Sequence, residues 1–178
     1  YITLPETLRS LGEGAFKGCK NLKNISIPIA IKDIPDDCFN GCVSLQNIDI
    51  SQFITIGDRS FMDVTLDFDH FNEQLKHIGS KAFSKINHLK TLILPESLES
   101  IGQAPFSMCE SIEEVLLHFT GYNQRSVSDE ASFYHLFADS LYIYNEKFNI
   151  RRVAVTGQLK ESSFKNHHHI EKVLIKNH

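Results

Sequence analysis

The sequence predicts a solenoid, a chain of stacked repeats that sets short parallel β-strands on one face and turns or short 3₁₀ segments on the other. Three periodic signals carry this expectation. Phe16, Phe39, Phe61, Phe83 and Phe106 each follow a small residue (Ala15, Cys38, Ser60, Ala82, Pro105) and lie 23, 22, 22 and 23 residues apart. Four or five residues before each Phe stands an aliphatic residue followed by Gly or Pro: Leu11-Gly12, Ile34-Pro35, Ile56-Gly57, Ile78-Gly79 and Ile101-Gly102. Nine and eleven residues after the Phe comes an alternating pair: Ile25/Ile27, Ile48/Ile50, Leu92/Leu94 and Val115/Leu117. Positions of such different character keep one period, and self-similarity at this spacing is the signature of a repeat architecture.

Each element follows from its residues. The alternating pair reads as a short strand with alternate side chains inward. The Phe-containing turn is too short to stand as an independent helix. An aliphatic residue six positions after the Phe (Leu22, Leu45, Leu89, Ile112) adds a third apolar contact to each unit. One unit cannot bury this apolar side alone, so stacking has to supply the core. The glycine after the aliphatic residue is expected to permit the backbone angles of a tight turn. Proline after a strand, as at Pro28 and Pro95, stops the ladder by removing a donor. The third unit departs from the pattern: after Phe61 it is one residue short, and its strand falls somewhere in Leu66–Phe71 with no fixed register.

The repeats LPETLRSLGEGAFKGCKNLKNISIP and LPESLESIGQAPFSMCESIEEVLL resemble BspA-type leucine-rich repeats, also called the Treponema pallidum type. The likeness is specific across residues 1–117, apart from the third unit, and returns at 153–178. There Val153–Gly157 precede Ser163-Phe164, Ile170 and Val173/Ile175, a degenerate final repeat. Residues 118–152 are similar to a longer variant unit, with Phe119, Gly121, Phe133, Phe137 and Ile150–Gly157 in its aromatic and strand roles, and Ala138 where a glycine is usual. A hairpin between Leu141–Tyr144 and Val153–Val155 is the alternative for this stretch. One leucine-rich-repeat domain over 1–178, about seven or eight units long, is expected; Ile2–Pro5 and Val173–Ile175 read as strands without polar caps, so flanking repeats or domains of the same protein are expected too. Residues 141–178 could instead be a worn-down cap. The resemblance also implies a surface-exposed or secreted protein that adheres to a host or microbial surface protein or glycan. No catalytic motif of the family exists to be carried over.

Composition narrows the function. The chain has 178 residues, 42% hydrophobic and 22% charged, which suits one soluble globular domain with a proper core. No apolar run approaches the ~20 residues of a membrane span, so no membrane insertion is expected. A formal net charge of −4 with scattered Lys and Arg argues against a nucleic-acid partner, which would ask for a basic stripe. No G-x-S-x-G, H-E-x-x-H, Walker-type or dinucleotide loop is present, and no cofactor is expected. Gly12-Glu13-Gly14 belongs to the repeat turn and precedes no long helix.

The residues able to carry chemistry fall on repeat positions. Cys19, Cys42 and Cys109 lie three after the repeat Phe and Cys38 just before one, so all four read as buried free thiols. Stacked Cys19 and Cys42 come near enough to raise a bridge as the alternative. Val64, Ile86 and His167 occupy the same slot, which points to bulk rather than chemistry there. Three consecutive histidines, His167 to His169, do not share one face of a helix or strand, so no metal site is expected. Asp36-Asp37, Asp67/Asp69 and Glu113-Glu114 are expected in turns or outward positions as solvated charge.

The outward strand positions are the candidate ligand-binding face. Between the inward pairs stand Ser26, Asp49, Ile93, Leu116, Ala154 and Leu174: polar at first, then apolar. A solvated strand alternates apolar with polar, so the row Ile93, Leu116, Ala154, Leu174 is expected to form an unusual apolar strip. Thr91, Glu114, Arg152 and Lys172 flank it, Arg152 and Lys172 completing the proposed site. Cover by the aromatic-rich 118–140 insert (Phe119, Tyr122, Phe133, Tyr134, Phe137) is the competing reading. A binding module meeting its partner through this face, or a structural spacer within a larger surface protein, are the two functions left open.

Overall fold

The computed structural model describes residues 1–66, 68, 70–119, 134–137, 150–157 and 170–176. It is a parallel β-solenoid of about six turns with almost no helix. Among the described residues the one helical segment is α1 (Tyr134–Phe137). Strands β1 (Ile2–Thr3), β2 (Ile25–Ser26), β6 (Thr91–Ile93), β8 (Glu114–Phe119), β9 (Arg152–Gly157) and β10 (Lys172–Lys176) make up the predicted strand face. They pair in parallel as β1-β2 and as β6-β8-β9-β10. The expected register holds: Leu92 pairs with Val115, Val115 with Val153, and Val153 with Val173. β9 therefore sits between two parallel neighbours; its proposed hairpin partner, 141–144, lies outside the described residues.

The opposite side is more ordered than the sequence suggested. Where turns or 3₁₀ segments were expected, β3 (Asp33–Ile34), β4 (Thr55–Ile56), β5 (His77–Ile78) and β7 (Ser100–Ile101) form a second parallel ladder, in the order β3-β4-β5-β7. These are the Ile-Gly and Ile-Pro signals; Ile34, Ile56 and Ile78 are buried and Ile101 is half-buried. The glycines serve differently from expectation. None of Gly57, Gly79 and Gly102 has a positive φ; a Cβ on Gly79 would stand 2.5 Å from the Asp58 nitrogen, and one on Gly102 2.2 Å from the Ser80 nitrogen. Glycine is required because adjacent turns touch backbone to backbone, not because a turn needs unusual angles.

Left-handed backbone appears instead on both sides of the Phe. Gly14, Asp37, Arg59, Lys81 and Ala104, two residues before it, and Gly18, Gly41, Asp63, Lys85 and Met108, two after it, all have φ between 49° and 75°. This geometry turns the N–H groups of alternate residues toward the next unit. Gly14, Phe16 and Gly18 donate to the carbonyls of Asp36, Cys38 and Asn40; Asp37, Phe39 and Gly41 donate to Asp58, Ser60 and Met62; and the series runs on to Phe106 donating to Leu136. Inside this third line of bonds the rings of Phe16, Phe39, Phe61, Phe83 and Phe106 stack at 5.3, 5.4, 5.5 and 5.6 Å, within 12° of parallel. Phe137 takes the next level, 6.4 Å from Phe106 and tilted by 44°. Seven or eight units were expected, but the described rings make six levels; the Phe164 level lies outside the described residues.

The third unit is resolved by aromatic packing. No strand forms among the described residues of Leu66–Phe71. Leu66 and Phe71 are buried, and Phe68 and Phe71 lean against Phe83 at 5.6 and 5.3 Å. Two rings replace the inward strand pair here.

Candidate functional site

The candidate face is built on β6, β8, β9 and β10. Thr91, Leu92 and Ile93 pair with Glu114, Val115 and Leu116; Glu114, Val115 and Leu116 pair with Arg152, Val153 and Ala154; and Arg152, Val153 and Ala154 pair with Lys172, Val173 and Leu174. The inward members Leu92, Val115 and Val153 are buried, while Ile93, Leu116 and Ala154 are half-buried and Leu174 is exposed. So the four predicted apolar residues do form one row, running across the strands for roughly 14 Å at the usual interstrand spacing of about 4.8 Å. The flanking row Thr91, Glu114, Arg152, Lys172 is equally in register. Arg152 is ion-paired with Glu114, an exposed contact of small energetic weight. Lys172 is exposed beside Arg152. Most of the 118–140 insert lies outside the described residues. Within it, Leu136 and Phe137 are buried in the main core rather than set apart as a separate one.

The polar half of the same face is organised by hydrogen bonds. Asn47 Nδ2 donates to Asn24 Oδ1 at 2.7 Å, beside the isolated parallel bridge between these residues. Asp49 accepts from the Ser51 backbone at 2.8 Å, and the Ser51 side chain and N–H hold its carboxyl below the usual range.

The cysteines divide. Cys38, Cys42 and Cys109 are buried, as expected, whereas Cys19 is exposed. The shared slot also has a chemistry that bulk alone did not suggest: Cys42 Sγ donates to the Phe16 carbonyl at 3.0 Å and Cys109 Sγ to the Phe83 carbonyl at 3.1 Å. Burial pushes the Cys38 thiol up to about 12 and the Cys42 thiol up to about 11, so both stay protonated and unreactive.

Of the adjacent acids Asp36 and Asp37, expected as solvated charge, Asp37 is buried. It accepts from Arg59 Nε and Nη2 at 3.1 and 3.0 Å and from Asn40 at 2.7 Å, and pairs with Lys17 at 3.3 Å. The Arg59 guanidinium, above all, holds its carboxyl far below the usual carboxylate range. Asp36 and Asp58 act as caps: their Oδ1 atoms accept from the Asp58 and Ser80 backbone N–H groups at 2.8 and 2.7 Å, each a unit further on. On the second ladder Asp33, Thr55, His77 and Ser100 form an outward polar row. Within it Thr55 donates to Asp33 and His77 Nδ1 lies 2.6 Å from Ser100 Oγ. Among the described residues no cluster of three or more His, Cys, Asp and Glu is placed to hold a metal, and no helix is long and apolar enough to cross a membrane.

Parallel ladders of short strands and a ring stack define a leucine-rich-repeat solenoid. The family described as "BspA type Leucine rich repeat region" matches in six copies over residues 1–113 and 51–171, and the chain belongs to it. A leucine-rich repeat protein from Bacteroides ovatus ATCC 8483, known from a crystal structure, is similar at 22% identity with a TM-score of 0.60. That match covers 87% of this chain and 41% of the other. A leucine-rich repeat protein of T. pallidum is 21% identical, with a TM-score of 0.38, over 90% of this chain and 62% of its own. The chain thus spans less than two thirds of either structure. No curated protein matches it.

Proposed function

We propose that the chain is a non-enzymatic binding module of a surface-exposed or secreted protein, engaging a host or microbial surface protein or glycan through its strand face. The observation that carries this reading is the in-register row Ile93, Leu116, Ala154, Leu174, bordered by Arg152 and Lys172. Aliphatic side chains on the outward side of a ladder, rimmed by charge, have the composition of an interface centre and its edge. Family membership supports an interaction role in general.

Leu116→Asp tests the reading. It places a carboxylate in the middle of the row without touching the core, so the melting temperature should stay within a few degrees while binding to immobilised extracellular-matrix proteins falls at least tenfold. Unchanged binding by a folded variant removes the face from consideration.

A second reading, a structural spacer, draws on the lines of backbone bonds that tie successive turns. A spacer predicts that neither Leu116→Asp nor Lys172→Glu alters any binding.

A further inference from the structure

The sequence holds one Asn-x-Ser/Thr triplet without proline, Asn24-Ile25-Ser26. That pattern is the acceptor signal for N-linked glycosylation, and it is used only where the asparagine amide can stay at the surface. The fold meets this condition. Ile25 points inward and is 5% exposed, so its neighbours on either side both point outward along the extended chain. Ser26 is exposed and Asn24 half-buried on the polar half of the strand face. The Asn24 amide is oriented by its oxygen, which accepts from Asn47 Nδ2 at 2.7 Å in an exposed contact. Glycosylation leaves that oxygen untouched, and no described hydrogen bond uses Asn24 Nδ2, the atom that carries the sugar.

We propose that Asn24 is the acceptor of an N-linked oligosaccharide when the chain passes through a secretory compartment that holds an oligosaccharyltransferase. The donor class is a polyprenyl-pyrophosphate-linked oligosaccharide. A bond forms between Asn24 Nδ2 and the anomeric carbon of the first sugar, and the bond from that carbon to the pyrophosphate oxygen breaks. The polyprenyl pyrophosphate leaves with the electron pair, and the displaced amide proton passes to a base of the transferase. The glycan then covers the polar half of the face near Ser26 and Asp49. β6 lies three strand positions further on, roughly 15 Å away at the usual spacing.

The proposal rests on the surface or secreted placement suggested above but not on the binding row. Its test is translation of the chain behind a secretory leader in the presence of endoplasmic-reticulum microsomes, scoring only protease-protected chains. One glycosidase-sensitive gain in mass is expected, lost in Asn24→Gln and in Ser26→Ala and retained in Ser26→Thr. Ser26→Ala keeps the Asn24–Asn47 contact, so its loss of glycan cannot be blamed on misfolding. Protected wild-type chains without glycan, or a glycan that survives Ser26→Ala, overturn the proposal. Leu116→Asp leaves the glycan in place, so the two readings fail separately.

Discussion

The turn side of the solenoid and its strand face are built from the same repeats yet behave as different materials. On the turn side the ring stack and the Phe-turn bonds run unbroken from Phe16 to Phe106, and the second ladder runs from β3 to β7. The strand face changes character at the third unit, where Phe68 and Phe71 stand in for a strand and the outward row passes from Ser26 and Asp49 to Ile93 and Leu116. Cohesion is concentrated where every position must fit the level above and below. Variation collects on the face that has a free side. A repeat protein can change what it meets only where stacking does not dictate the residue.

Substitutions graded by size would break or sharpen this contrast. Phe61→Ala removes a fully buried ring stacked on both sides, and about 3–5 kcal/mol of unfolding free energy should be lost in urea titration. Gly79→Ala drives a methyl into the backbone of the preceding turn and should cost about 1–3 kcal/mol. Gly12→Ala, with nothing within 4 Å, should be nearly silent. If both glycine variants melt alike, close stacking is not what selects glycine.

Asp37 adds a pH test. Because its folded carboxyl titrates well below the ordinary value near 3.9, its stabilisation is fully present above that value and lost as the pH falls below it. Asp37→Asn should therefore be less stable than wild type at pH 7, and the gap should narrow progressively as the pH falls from about 4 to about 2. A constant gap across that range would show that the Arg59 pairing contributes nothing. A small effect is expected at Ser60, whose buried hydroxyl has no partner among the described residues. Ser60→Ala should leave stability unchanged or raise it by about 1 kcal/mol.

The Phe, Ile-Gly and strand periods were legible because each marks a position where one shape is demanded at every level. The row Ile93, Leu116, Ala154, Leu174 followed from the same period, since an outward residue always lies between two inward ones. The second ladder was not legible. Two-residue strands carry no alternation of their own, and Ile followed by Gly reads as a turn until the neighbouring turn is set against it. The left-handed positions were hidden for a related reason: Asp37, Arg59, Lys81 and Met108 share no side-chain chemistry, only a backbone shape imposed from above and below. Burial of Asp37 was equally unreadable, because its partners Lys17 and Arg59 come from the units on either side.

The Phe-turn bonds all point one way, with each unit giving its N–H groups to the unit that follows and offering its carbonyls to the one before. A stack wired like this is a vector. Along this line its leading and trailing surfaces are complementary rather than alike, so two such blocks join leading to trailing. Insertion or deletion of a whole unit preserves the polarity of the column, and units are interchangeable in order but never in direction.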